Sequence, residues 1–167
     1  MVEFGSLTDE HRRALEGDEL DPFDTAGIEL RFRPKDRHVG LRNESGLLVA
    51  STGMIVVDVE VEGRRFPVVG LGGVIVSAPY RGRGLARQVV DAALAVARSL
   101  GPQFAILFCH ESRAGLYRKL GFVELAGDVR VQQPNGYEPM TQQAMWIALN
   151  EQGTWPSGEV IVHSLPF

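Results

Sequence analysis

The six residues RGRGLA, Arg81 to Ala86, follow a short apolar stretch at residues 73–76 and open a strong helical pattern. Apolar residues recur at helical spacing from Leu85 to Leu100, and Gly101-Pro102 ends the pattern. The stretch therefore predicts a glycine-rich turn at the N-terminus of a helix. Glycines in such a turn let a ligand approach the main chain, the first N–H groups of the helix are free, and the arginines add positive charge. This combination predicts a site for a ligand that carries phosphate groups.

A solvated turn with no ligand is the alternative, since the stretch matches neither of two common phosphate-binding patterns. It lacks the three spaced glycines and the downstream acid of dinucleotide-binding turns, and it lacks the lysine of the P-loop. A second segment favours the ligand site. About thirty residues further on, Gly115 to Phe122 reads GLYRKLGF at the end of a second predicted helix.

Together the two segments resemble the GCN5-related N-acetyltransferase (GNAT) superfamily. Arg81, Gly84 and Ala86 match the superfamily's cofactor motif, and Tyr117 followed by Gly121-Phe122 matches its second landmark. The resemblance is strongest over residues 68–123. It implies the GNAT fold, an α/β fold with α+β layering. Its mixed, mostly antiparallel sheet of six to seven strands is flanked by helices and has a splayed cleft between the fourth and fifth strands.

The resemblance also implies a co-substrate, acetyl-CoA, and no metal. The main chain of the strand before the turn is expected to pair with the pantetheine arm, and the turn is expected to hold the pyrophosphate. Tyr117 matches the superfamily's general acid, and a phenol with a reference pKa near ~10 is protonated at neutral pH. An aromatic packing residue is the alternative for Tyr117. The expected cofactor-binding residues are Val74, Ile75, Val76, Arg81, Gly82, Arg83, Gly84, Leu85, Ala86 and Tyr117.

The tail, with Trp155-Pro156-Ser157-Gly158 before residues 160–162, resembles a narrower branch: the aminoglycoside 2′-N-acetyltransferases and the NodA-type N-acyltransferases. By similarity, the Phe167 carboxylate is expected to help hold an ammonium group of the acceptor. Asp21 and Asp24 fall near the place where that branch carries an acceptor-binding acid. A strand that simply completes the sheet is the alternative for the tail.

The general base is the point at which the chain departs from that branch. The branch has a glutamate on the bulged strand, and this chain has Gly72 at the matching position. The base is therefore expected elsewhere, with His110, Glu111 and Glu60 as candidates. Histidine is a residue type suited to the task, although a histidine at a strand end is also a common capping residue.

Length and composition limit the class of protein. A chain of 167 residues suits one domain, so residues 1–167 are expected to form a single GNAT domain. We find no signal-peptide pattern and no apolar run long enough to cross a bilayer, which indicates a cytoplasmic protein without a membrane partner. Cys109 is the only cysteine, which excludes an internal disulfide and a cysteine zinc site. A monomer and a homodimer both remain open.

Charge is distributed unevenly along the chain, whose formal net charge is −4. Residues 1–62 carry a net charge of −7, residues 63–119 carry +7, and residues 120–167 carry −4. The basic middle suits an anionic cofactor and the acidic outer segments suit a cationic acceptor, although ordinary surface charge is the alternative. The overall acidity disfavours a nucleic-acid partner.

The sequence thus predicts an acetyl-CoA-dependent N-acetyltransferase that acts on a primary amine of a small cationic acceptor, aminoglycoside-like or amino-sugar-like. Two other functions remain open. One is a protein or peptide N-acetyltransferase, and the other is a non-catalytic acyl-CoA-binding sensor domain, which the absence of a base at Gly72 would suit. The acyl chain length is also open, because the NodA-like tail allows a longer acyl group.

The remaining pattern gives a coarse order of elements. Helices are predicted at about residues 9–16, 84–100 and 112–120, and residues 17–29 read as a loop or a second short helix. The first three strands read as an antiparallel meander, and glycines at positions 70, 72 and 73 predict a bulge in the third. The predicted strands are residues 38–42, 47–61, 66–76, 104–109, 129–133, 145–149 and 160–162, with a turn-rich segment at residues 134–139.

Overall fold

The computed structural model describes residues 1–150 and 153–167, and these form strands and helices in a mixed order. A short 3-10 turn, Ala78–Tyr80, precedes the second helix. The elements in chain order are β1 (Val2–Phe4), α1 (Asp9–Glu16), β2 (Arg37–Arg42), β3 (Leu48–Val61), β4 (Arg64–Val76), α2 (Leu85–Ala97), β5 (Phe104–Cys109), α3 (Glu111–Lys119), β6 (Val123–Glu124), β7 (Val129–Gln133), β8 (Gly136–Pro139), β9 (Gln143–Ala148) and β10 (Val160–Val162).

The predicted meander of β2, β3 and β4 is confirmed as the centre of the sheet. β3 and β4 pair over almost their whole length and are joined by Glu62-Gly63, where both residues have positive φ angles of 49° and 76°. Such angles give a tight turn whose twist suits a hairpin. β3 is buried along most of its length because core residues cover it on both faces.

The strands of the described residues form one sheet in the order β6-β9-β5-β4-β3-β10-β7-β8. β2 pairs with the first half of β3, and β1 pairs with β2. Among the strands of residues 1–150 and 153–167, only β4 with β5 and β7 with β10 are parallel pairs, so the sheet is mixed and mostly antiparallel, as predicted.

α2 lies on one face of this sheet because its apolar residues recur on one side. Their side chains are buried against β2, β3 and β4, and each fully buried valine or leucine contributes about 1.5–3 kcal/mol. α3 adds Ala114 and Tyr117 to the same core. The opposite face carries a second core, in which Trp155 and Phe167 from the tail pack on the strands. The buried residues of α2 are Val89, Val90, Ala93, Leu94 and Ala97.

Two expectations about the elements differ from the structure. The described residues form ten strands instead of six to seven, because the short β1, β6 and β8 lack a clear alternating pattern. The segment predicted as turn-rich, residues 134–139, contains β8, which forms a hairpin with β7. Of the two alternatives for residues 17–29, the loop is confirmed, since these residues contain turns and no helix.

None of the three helices in residues 1–150 and 153–167 combines the length and the apolar character needed to cross a membrane.

Candidate active site

The sheet opens between β4 and β5. The two strands pair at three positions, Val69–Leu71 against Ala105–Leu107, and then continue separately to Val76 and Cys109. The gap is a cavity of about 540 Å³ that is lined by both strands, α3, the start of α2 and parts of residues 22–35. The splayed cleft predicted between the fourth and fifth strands is therefore present.

A bulge in β4 shapes the wall of this cavity. Gly72 lies opposite Gly53 and Ile75 opposite Ser51, so one extra residue of β4 faces β3 between these pairs. Gly73 takes a positive φ of 63°, which favours glycine, and so the predicted bulge is confirmed. Beyond it, residues 74–76 have no partner on the β5 side in the described part of the chain. Their main-chain groups on that edge are free to pair with an extended ligand.

The turn before α2 presents main-chain N–H groups to the same cavity. Gly82 and Gly84 both have a φ of 74°, and a methyl group at either position would meet open space. Glycine is therefore favoured at these positions by the positive φ angle, and not because a larger side chain would clash. The first hydrogen bond of the helix runs from Gln88 N to Gly84 O at 3.2 Å, and no side chain caps the helix. The N–H groups of residues 85–87 therefore have no helical partner and can bind an anion.

The two arginines of the turn have different surroundings. Arg81 Nε donates to Val76 O at 3.0 Å, and its Nη atoms donate to both carboxylate oxygens of Glu19 at 2.7 and 2.5 Å. This hydrogen-bonded pair lowers the pKa of Glu19 and raises that of Arg81. Arg83 lies over the Tyr80 ring, 5.2 Å from its centroid, and is the one predicted cofactor residue that does not line the cavity.

Tyr117 lines the cavity from α3 and is 7% exposed. Its ring packs edge-on against Phe122, with 5.8 Å between centroids, so the aromatic packing expected as an alternative is also present. Burial raises the pKa of Tyr117, and the nearby Cys109 adds to this effect. The phenol therefore stays protonated at neutral pH and is able to donate a proton.

The three base candidates are not brought together. His110 caps α3, and its Nδ1 accepts from Ser112 N at 3.2 Å and lies 2.9 Å from Ser112 Oγ. A neutral imidazole has one acceptor nitrogen, so this cap uses the atom that a base needs. Glu111 is exposed and does not line the cavity. Glu60, also outside the lining, lies 3.0 Å from His163 Nε2 through Oε2.

The two predicted acceptor-binding aspartates lie in one loop with different roles. Asp24 lines the cavity and accepts from Arg113 Nε at 3.1 Å. Asp21 does not line it, because both its carboxylate oxygens accept main-chain N–H groups, those of Thr25 and Ala26, at 2.8 Å. These hydrogen bonds lower the pKa of Asp21. Asp21 therefore holds the shape of the loop that carries Asp24.

Phe167 lies in the cavity wall. A Cβ atom at Gly70 would lie 2.4 Å from the Phe167 ring, and one at Gly72 would lie 2.7 Å from its main-chain oxygen. The glycines thus make room for this residue. The ring also packs against Phe108, with 5.2 Å between centroids.

Lys35 is the main site residue that the sequence reasoning missed. Its side chain runs past Gly53 and Gly72 and ends near Gly73 at the bulge, inside the cavity. Phe23, Phe32 and Gln142 also line the cavity without having been predicted. The rarity of lysine is the one sequence feature that could have pointed to this residue, because Lys35 is one of only two lysines in the chain.

Comparison with known proteins identifies the family. A family model described as an acetyltransferase (GNAT) domain matches residues 12–124, which is more than half of the chain. The chain belongs to the GNAT acetyltransferase family. It is therefore an N-acetyltransferase of the acetyl-CoA-dependent kind, as its two motifs predicted. The described residues contain no group of three or more His, Cys, Asp or Glu side chains arranged to hold a metal.

Solved structures agree on the fold of this GNAT chain. The GNAT family N-acetyltransferase YhbS from Escherichia coli, solved with CoA, is 21% identical with a TM-score of 0.60, and the match covers 97% of this chain and 89% of that one. An AtaT toxin variant, solved with a segment of the antitoxin AtaR and acetyl-CoA, is 18% identical with a TM-score of 0.54, covering 68% of each chain.

A GCN5-related N-acetyltransferase from Kribbella flavida is 27% identical with a TM-score of 0.48, and the match covers 53% of this chain and only 22% of that one. No curated protein sequence matches this GNAT chain.

Proposed function

We propose that this chain transfers the acetyl group of acetyl-CoA to a primary amine of a small molecule. One observation carries the proposal: the glycine turn before α2, the free edge of β4 and the Tyr117 side chain all line the same cavity. A donor with a diphosphate at one end and a thioester at the other needs these three features in this order along its length.

The donor would be held mainly by main-chain groups. The diphosphate would accept hydrogen bonds from the N–H groups of residues 82–87, and the pantetheine arm would lie along the free edge of Val74, Ile75 and Val76. Anchoring at this remote end orients the thioester in the opening beside the bulge. Orientation of this kind lowers a barrier by up to ~7–11 kcal/mol in favourable cases.

The chemical step would occur between the bulge and Tyr117. The nitrogen of a neutral amine attacks the thioester carbonyl carbon, so that a C–N bond forms and the C–S bond breaks. The departing thiolate takes the proton of the Tyr117 hydroxyl, which burial keeps protonated. The phenolate then regains a proton from the nitrogen of the new amide.

The acceptor would enter opposite the donor, between residues 22–35 and Phe167. A small cationic amine, aminoglycoside-like or amino-sugar-like, is the acceptor we propose. Asp24 and the Phe167 carboxylate would accept hydrogen bonds from an ammonium at this end, and Phe23 and Phe32 would provide aromatic surface. Asp21 would contribute by holding the loop in shape.

Thiol release from acetyl-CoA, followed with a thiol-reactive dye against a library of amines, tests this proposal. We expect saturable turnover with at least one small primary amine and none with the matched N-acetylated amine. Turnover with N-terminal peptides alone would replace the small acceptor with a protein or peptide. Tight acetyl-CoA binding with no turnover on any amine or peptide would contradict the enzymatic proposal and favour a sensor domain.

A further inference from the structure

A lysine lies against the bulge at the point where the sheet opens. A Cβ atom built at Gly53 would lie 2.7 Å from Lys35 Cβ, one at Gly72 would lie 2.9 Å from its Cε, and one at Gly73 would lie 3.4 Å from its Nζ. The side chain therefore extends across the glycines of β3 and β4, with its amine at the bulge. The absence of side chains at these three glycines provides the space that the Lys35 side chain occupies.

The charged surroundings of the Lys35 amine are unusual for a lysine. In residues 1–150 and 153–167 it forms no ion pair, whereas the exposed arginines Arg81 and Arg113 do. The groups that face it are Arg12 from α1, His38 from β2 and the Phe167 carboxylate, which forms no ion pair with Lys35. A half-buried cation with no carboxylate at ion-pair distance is costly, and Arg12 adds repulsion, so this site favours a neutral amine.

The other titratable groups that line the cavity are already engaged. Asp24 binds Arg113, Arg81 binds Glu19, and the His110 acceptor nitrogen caps α3. Burial raises the pKa of the Cys109 thiol to about 11, so it is not a thiolate at neutral pH. Lys35 differs from these groups in two ways. Its amine has a free lone pair when it is neutral, and it lies at the point where the sheet opens.

We propose that Lys35 is the proton acceptor of the reaction, taking a proton from the acceptor ammonium beside the β4 bulge. This inference rests on the proposed function, since it assumes that the thioester lies at the opening. Most aliphatic amines are protonated at neutral pH and have no lone pair until a base removes a proton. Lys35 Nζ takes that proton, the freed amine attacks the thioester, and the ammonium of Lys35 later returns the proton to water.

The protonation behaviour of Lys35 agrees with this role. Burial lowers its pKa to about 8, and the positive charge of Arg12 contributes in the same direction. A base must be neutral to act, so kcat/KM is expected to rise with pH through about 8. A lysine tuned to this range is close to the ideal for a general base near neutral pH.

Two substitutions of Lys35 separate a base from a mere positive charge. Lys35→Met removes the amine at similar length, and Lys35→Arg keeps the charge but cannot give it up. We expect kcat/KM with the best amine of the library to fall by at least about 100-fold in both variants, with the rise near pH 8 lost. Lys119→Met, at the exposed other lysine, is the matched control and keeps wild-type kinetics. Activity retained in Lys35→Arg would overturn the proposal and assign Lys35 to binding an anionic group of the acceptor.

A titration that needs no acceptor decides the case when no amine in the library reacts. With lysine labelled with 13C at Cε alone, wild-type protein bound to acetyl-CoA gives only two lysine signals, and Lys119→Met assigns them. We expect the Lys35 signal to titrate near pH 8, below the ordinary lysine value of about 10.4. An ordinary titration of Lys35 in the acetyl-CoA complex would overturn the proposal. Failure of acetyl-CoA to bind wild-type protein would instead contradict the proposed function itself.

Discussion

The two ends of the cavity are built in different ways. The end at which we propose that the donor binds uses main-chain groups from one continuous stretch, residues 74–87, in which a free strand edge leads into a glycine turn and a helix. The end proposed for the acceptor uses side chains from distant parts of the chain, among them Phe23, Lys35 and Phe167. A surface made of contiguous main chain follows local sequence rules, whereas a surface made of dispersed side chains depends on the whole fold. The residues that bind the donor should therefore be easier to predict from the sequence than the residues that bind the acceptor.

Tyr117 lines the cavity and is the proposed proton donor, and its substitution has the largest expected effect. Tyr117→Phe keeps the ring and its packing on Phe122 but removes the proton donor, so kcat is expected to fall by about 10²–10⁴-fold. Acetyl-CoA binding, measured by calorimetry, should be unchanged because the donor end is intact. An unchanged rate would show that another group protonates the thiolate, and a loss of acetyl-CoA binding would show that the two ends are not separable.

A smaller effect tests whether conformation alone defines the donor end. Gly84→Ala forces a side chain into a φ of 74°, which costs about 1–2 kcal/mol, although nothing blocks the added methyl group. We expect lower stability in urea unfolding and weaker acetyl-CoA binding. Gly115→Ala is the control, since Gly115 is helical and open, and it should stabilise the protein by about 0.5–1 kcal/mol. Equal effects of the two substitutions would contradict this account of the turn.

The smallest expected effect concerns the ion pair that joins the two ends. Glu19, in the segment that also carries Phe23 and Asp24, binds Arg81 of the donor end. Glu19→Gln should release Arg81 for the diphosphate and tighten acetyl-CoA binding slightly, because an exposed ion pair contributes little. Glu29→Gln removes the same charge from an exposed position outside the cavity and should leave binding unchanged. Weaker binding in Glu19→Gln would mean that Glu19 orients Arg81 for the donor.

The sequence predicted the central elements, among them those that form the proposed donor end, because these elements follow local rules. Apolar residues at helical spacing predicted α2, and the continuous apolar run predicted β5. The glycines of β4 predicted the bulge. The short strands β1, β6 and β8 were missed because tertiary pairing and not pattern creates them. Lys35 was missed for a related reason. It stands in an irregular segment, and only the pairing of Gly53 with Gly72 shows where its side chain goes.

The row of glycines beneath Lys35 has a consequence for how this site varies among relatives. A side chain at position 72 and a long side chain at position 35 compete for the same space, since a Cβ atom at Gly72 would come within 2.9 Å of Lys35 Cε. A Cβ atom at Gly72 would also lie 2.7 Å from the Phe167 oxygen, so position 72 is expected to covary both with position 35 and with the segment that carries Phe167. Homologues that gain a carboxylate at position 72 should carry a shorter residue at position 35, and those that keep the lysine should keep the glycine.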